Sequence, residues 1–144
     1  MGLDKKRIQA RLDHLEECLD ELSGIKLESA DELMKRENFM IRRTVERCLY
    51  LAIQDLLDIG AHIISAQGLG VPADYRDVIA ILGNNEVIPS EFAKRIEGMA
   101  GFRSILEHDY VRLDLQKVFE NFQRLDDFRQ FARHIVDFVE GQTG

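Results

Sequence analysis

The feature that most constrains this chain is an apolar repeat of about 3.6 residues that runs through nearly all of it, with almost no alternation of period two. In the first segment Ile8, Leu12, Leu15, Leu19 and Leu22 step by four and three, and Ser23-Gly24 supplies a stop. That is a helix of about five turns. Only 2 of the 144 residues are proline, and both lie between periodic segments, so long helices are permitted. Ser29 and Glu32 have the spacing of a capping box, and from there to about Gln67 no proline intervenes and Gly60 is the sole glycine. Leu49 to Ile64 is apolar on nearly every face, which marks a buried central column.

Gly68-Leu69-Gly70-Val71-Pro72 reads as a loop. A short helix follows with Tyr75, Val78, Ile79 and Leu82 inward, ended by Gly83-Asn84-Asn85. Pro89 opens another helix with an inward row of Phe92, Ile96, Met99, Phe102 and Leu106, loosened or kinked at Gly98 and Gly101. A last helix carries Val111, Leu115, Val118, Phe122, Leu125, Ala132, Ile135 and Val139 and frays from about residue 141. The expectation is an all-α antiparallel helical bundle, four long helices plus one short, forming one domain over residues 1–144.

Composition excludes several classes. Hydrophobic residues make up 45% and charged residues 31%, an ordinary globular balance. No apolar run is read as long enough to span a bilayer, and no apolar stretch follows Lys5-Lys6-Arg7 as a signal peptide requires. The expected location is cytoplasmic, with no membrane partner. A net charge of −7 argues against a general nucleic-acid coat, though not against a small site with a local basic lining. The run Lys35, Arg36, Arg42, Arg43, Arg47 is either such a wall or a solvated face balanced by Glu32, Glu37 and Glu46. Cys18 and Cys48 lack metal or redox spacing and read as small core residues. Asp55, Asp58 and His62 have helical spacing and could touch a metal, but the paired Glu-x-x-His of a di-metal bundle is missing. His14 and His134 read as surface residues. Neither a metal nor a cofactor is expected, and the phosphate-loop, dinucleotide, nucleophile-elbow and zincin motifs are absent from the sequence.

The informative stretch is Gly101-Phe102-Arg103-Ser104-Ile105-Leu106-Glu107-His108-Asp109-Tyr110. On a continuous helix, five residues rotate by roughly 500°, leaving Arg103 and His108 about 140° apart. Either their roles are unrelated, or the helix ends near Glu107 and the chain turns. The chemistry fits the turn. Imidazole moves protons near neutrality, and a guanidinium matches phosphate oxygens. In RNA the 2′-hydroxyl is an internal nucleophile, so phosphodiester cleavage requires no metal. A base removes its proton, arginine stabilises the phosphorane, and an acid protonates the leaving 5′-oxygen. A two-fold dimer would supply two histidines and two arginines for those transfers.

Arg103-x4-His108-x-Tyr110 resembles the RX4HXY signature of the HepT-like family, HEPN-fold toxins of prokaryotic toxin–antitoxin pairs. Met99-Ala100-Gly101-Phe102, Tyr75-Arg76-Asp77 and Asp58-Ile59-Gly60-Ala61-His62 are similar too, and the likeness runs over nearly the whole chain. The resemblance implies a homodimeric, metal-independent endoribonuclease with Arg103 and His108 catalytic, supported by Ser104 and Glu107. It implies RNA rather than DNA as substrate. It also implies a minimal nucleotidyltransferase antitoxin that adds AMP to Tyr110, whose phosphates would repel the RNA backbone. Ser104 stands where the family commonly has Asn. The alternative is a non-catalytic nucleotide- or substrate-binding partner subunit of a nucleotidyltransferase, in which Arg103 and His108 hold a phosphate.

Overall fold

A computed structural model describes residues 2–108 and 114–142, and for His108 the backbone only. Among these residues the protein is all helix, without strands. The order is α1 (Lys5–Ser23), α2 (Ala30–Met34), a 3-10 turn (Arg36–Asn38), α3 (Phe39–Gln67), α4 (Tyr75–Asn84), α5 (Ser90–Ile96), α6 (Gly98–His108), α7 (Leu115–Phe122) and α8 (Leu125–Gly141). The bundle is the expected one, with three of its long helices broken.

The central column is α3, which packs against α1, α4, α6, α7 and α8. Leu49, Ala52, Ile53, Leu56, Leu57 and Ile63 are wholly buried along it. Gly68, at φ 63°, ends it in the left-handed conformation that spares glycine the Cβ clash. By length and apolar content Arg36–Gln67 does reach what a bilayer span needs, contrary to the sequence reading, but its apolar side chains are largely turned into the bundle.

The breaks have local causes. The helix expected from Ser29 to Gln67 stops at Met34, because Lys35 is extended (ψ 132°). Asn38 Nδ2 donates to the Glu32 carbonyl at 2.8 Å, satisfying an end of α2 while the chain restarts at Phe39. Ser29 precedes α2 but makes no side-chain cap bond, so the capping box is not formed. In the next pair, α5 and α6 part at Glu97, directly before Gly98, while Phe92, Ile96, Met99, Phe102 and Leu106 are all buried as expected. The last helix is interrupted at Gln123-Arg124. There Arg124 Nε donates to Asp127 Oδ2 at 3.0 Å, and Arg95 reaches Oδ1 at 2.9 Å, so a buried carboxylate in the first turn of α8 clamps the corner to α5. The corner rotates the inward face, placing Phe128 and Phe131 in the core at 0% exposure, outside the row read from the sequence.

Two histidines read as surface residues are not free surface. His134 packs edge-on against Phe92, ring centroids 5.0 Å apart. His14 faces Asp55, the buried carboxylate of α3, which also accepts from Arg11. Burial pushes the Asp55 carboxyl above its usual range, with His14 and Arg11 pulling the other way. Of the three residues weighed as a metal group, Asp55 and Asp58 both bind Arg11, and His62 Nε2 accepts from the Asp4 amide at 3.0 Å.

The α1–α3 seam also buries both cysteines. Burial first, then the charge of Asp55, pushes the Cys18 thiol up to about 11. Burial first, then a hydrogen bond to Glu21 (3.1 Å), pushes Cys48 up to about 12. Only the thiolate attacks disulfide reagents, and each tenfold loss of thiolate slows attack tenfold. In chelating buffer at pH 8, both thiols are therefore expected to react with an aromatic disulfide at least ~100-fold more slowly than in denaturant. Two fast equivalents from the folded protein would contradict this burial.

Candidate functional site

Arg103 of the motif is buried, and the helix pattern explains why. It lies between the inward positions Phe102 and Leu106 on α6, so its side chain enters the α3–α6 interface and is only 8% exposed. A buried guanidinium needs partners. Its Nε donates to Gln54 Oε1 on α3 at 2.6 Å, and its Nη1 lies 3.3 Å from Glu107 Oε2, one turn on. The guanidinium carbon is 4.4 Å from the Tyr75 ring centroid and 5.5 Å from that of Tyr50, both within cation–π range.

The orientation of Gln54 is itself fixed. Its Nε2 donates to Asp58 Oδ1 at 2.8 Å, and because a carboxylate only accepts, the Gln54 oxygen is left facing Arg103. Arg11 holds Asp58 in turn, at 3.5 Å. A relay Arg11–Asp58–Gln54–Arg103 therefore runs from α1 through α3 to α6. An aimed, desolvated guanidinium is the group that stabilises charge developing on a phosphate.

Two surface grooves flank this point. One, of about 440 Å³, is lined by Arg43, Glu46, Arg47, Tyr50, Leu106 and Glu107. The other, of about 300 Å³, is lined by Asp74, Tyr75, Arg76, Ala100, Gly101 and Ser104. Arg103 touches Tyr50 of the first and Tyr75 of the second. The basic run of α3 is divided in use. Glu46 pairs with Arg42 at 2.9 Å and reaches Arg43 at 4.0 Å, while Arg47 lies over Tyr50. The larger groove between α1 and α8 holds Asp13, Glu16, Asp20 and Asp137 beside Arg129 and Arg133, a poor match for a polyanion.

Of the sequence-derived site residues, Arg103 and Glu107 are in contact, and Ser104 is exposed in the second groove. His108 ends α6, one residue past the expected stop. Its side chain lies outside what is described, and so do Tyr110 and the turn that would bring the two beside Arg103. Sequence reasoning missed Tyr50 and Gln54, and weighed Asp58 only as a metal contact and as part of the family-like stretch. The signal was present: Gln54 and Asp55 are adjacent polar residues in the middle of an otherwise apolar buried segment, and such residues need partners.

A family model described as ribonuclease HepT-like matches residues 12–135. The mRNA nuclease HepT of Shewanella oneidensis is 33% identical over 108 residues, spanning 74% of this chain and 78% of that protein. The tRNA nuclease HepT of Aphanizomenon flos-aquae is 30% identical over 133 residues, spanning 92% and 89%. Among solved structures, the tri-AMPylated HEPN toxin of Shewanella oneidensis in complex with MNT antitoxin superposes with a TM-score of 0.79 at 27% identity, covering 91% of this chain and 97% of that one. A toxin–antitoxin crystal structure with AMP-PNP gives 0.77 at 27% identity, covering 90% and 97%.

Proposed function

The chain belongs to the ribonuclease HepT-like family, and from that membership we propose that it is the toxin of a toxin–antitoxin pair, an endoribonuclease that cuts RNA through Arg103 and His108. The observation that carries this reading is the buried Arg103 guanidinium, aimed by Gln54 and Glu107 and held between Tyr50 and Tyr75 beneath two grooves. Such a cation meets phosphate without first losing side-chain freedom, which is how an arginine is used on a transition state.

The reaction needs no outside nucleophile. The His108 imidazole of one protomer takes the 2′-hydroxyl proton, and the 2′-oxygen attacks phosphorus. Arg103 stabilises the added negative charge. The bond to the 5′-oxygen breaks, and that oxygen takes a proton from the second protomer's His108 in a two-fold dimer. The products are a 2′,3′-cyclic phosphate and a 5′-hydroxyl. No metal enters this scheme. The partner is a minimal nucleotidyltransferase that adds AMP to Tyr110, and the pair acts in the cytoplasm. The two relatives above are named as nucleases, which favours cleavage over a purely nucleotide-binding role.

The test is RNA cleavage in chelator by protein shown by intact mass to be unmodified, beside folded Arg103→Ala and His108→Ala. The parent is expected to leave cyclic-phosphate ends, and both variants to be inactive. Equal silence of all three on several RNAs, with nucleotide bound by the parent alone, would overturn the nuclease reading. Activity restored only by a divalent ion would overturn the metal-free chemistry.

A further inference from the structure

Helices α1 and α3 make the most extensive contact in the bundle, yet polar and sulfur groups replace aliphatic ones at one level of it. His14 and Cys18 are one helical turn apart on α1, and Asp55 faces them from α3. The His14 ring nitrogen, the Cys18 sulfur and an Asp55 carboxylate oxygen all lie within 4.8 Å of one another. Cys18 is 5% and Asp55 1% exposed, while His14 is half-buried and offers a path from solvent. We propose that His14, Cys18 and Asp55 form a binding site for a zinc-class divalent ion, separate from the RNA-cleaving site.

The donor set decides the class of ion. One thiolate, one imidazole and one carboxylate suit borderline-soft zinc, whereas magnesium and calcium require a shell of oxygens. The spacing decides the geometry. Two donors four residues apart stand on one helix face, the arrangement helices use to grip zinc, and the third comes from the facing helix. Bonds of about 2.0–2.3 Å around a tetrahedral ion keep donors roughly 3.3–3.7 Å apart. The present separations start at 2.5 Å and none exceeds 4.8 Å. His14 Nδ1 and Asp55 Oδ2 are hydrogen-bonded at 2.5 Å and would part by about 1 Å as the ion replaces the proton between them. The partly exposed His14 ring can make that movement.

The surroundings suit a ligand set too. Arg11 donates to the other Asp55 oxygen, Oδ1, at 3.3 Å, so the carboxylate is held while Oδ2 points at the cluster. Three protein ligands leave a fourth position for water on the His14 side. Binding exchanges the Cys18 thiol proton for the ion, and that proton goes to solvent. Gln54 and Asp55 are consecutive, so their side chains leave α3 about 100° apart. One holds Arg103 and the other faces α1. The ion therefore ties α1 to α3 without entering the cleavage chemistry.

The experiment uses untagged full-length protein stripped with chelator, then titrated with zinc and cobalt(II). A single ion per chain is expected to bind, with a cobalt–thiolate charge-transfer band in the near ultraviolet. Cys18→Ser should abolish the band and weaken binding at least ~10-fold, His14→Ala should weaken it, and Cys48→Ser should leave both unchanged. A second measurement does not depend on the variants folding. In the parent, zinc should slow alkylation of Cys18 at least ~10-fold relative to Cys48, read by peptide mass spectrometry. No binding at free zinc up to about 100 µM, binding that survives unchanged in Cys18→Ser, or equal protection of both cysteines would each overturn the site.

Discussion

Arg103→Lys is expected to lower RNA cleavage by about 10²–10³-fold while leaving the protein folded, the cost typical of losing one aimed charge-stabilising donor. Lysine keeps the charge but loses the Nε–H that meets Gln54 at 2.6 Å and the planar face that lies over Tyr75 at 4.4 Å. Gln54→Leu removes the same anchor from the other side. An arginine misplaced by an ångström is enough for roughly 10²-fold. Gln54 is a positioning residue, so it should act only through Arg103. In a double-mutant cycle, Gln54→Leu added to Arg103→Lys should cost less than about threefold more, against its full effect in the parent. The loss should fall on kcat, with KM little changed, because RNA binding through the grooves persists. Additive losses, or a Gln54→Leu effect confined to KM, would show that Gln54 does not serve Arg103. Melting temperatures measured alongside separate this from simple unfolding.

Gly83→Ala is expected to destabilise the protein by about 2 kcal/mol, lowering Tm by roughly 6–8 °C. Two effects oppose each other. Alanine is the better helix former by up to about 1 kcal/mol. Against that, a Cβ on Gly83 would stand 2.5 Å from the Cβ of Ala93, where α4 and α5 touch. That neighbour is a rigid methyl on a packed helix, so the backbones must separate, and overpacking costs about 1–3 kcal/mol, occasionally more. The clash therefore wins. Ala93→Gly on the Gly83→Ala background should recover most of the loss. Gly98→Ala provides the control. Nothing lies within 4 Å of its Cβ position, so propensity acts alone and should stabilise by about 0.5 kcal/mol. Calorimetry on the four proteins checks all of this. A Gly83→Ala protein as stable as its parent would mean that α4 and α5 are not packed as described.

What was legible in the sequence was carried by local rules. The 3.6-residue repeat gave the all-α class, the central column and the inward row from Phe92 to Leu106, because amphipathic periodicity is written into each segment separately. The motif around Arg103 was legible for the same reason, being contiguous. Three things were decided by the tertiary structure. The long helices break at Lys35, Glu97 and Gln123-Arg124; the second break falls at the loose point already legible at Gly98, and the other two are held by side-chain bonds that the apolar repeat does not report. Asn38 closes the first, and Asp127 with Arg95 fixes the last. The aim of Arg103 was not legible either, since Gln54, Asp58 and Tyr50 come from a helix about fifty residues away and no spacing rule links them to it. His14 likewise reads as a lone surface residue until α3 brings Asp55 against it. Local patterning reports which way a side chain faces along its own helix, and only the packing of helices decides what it then meets.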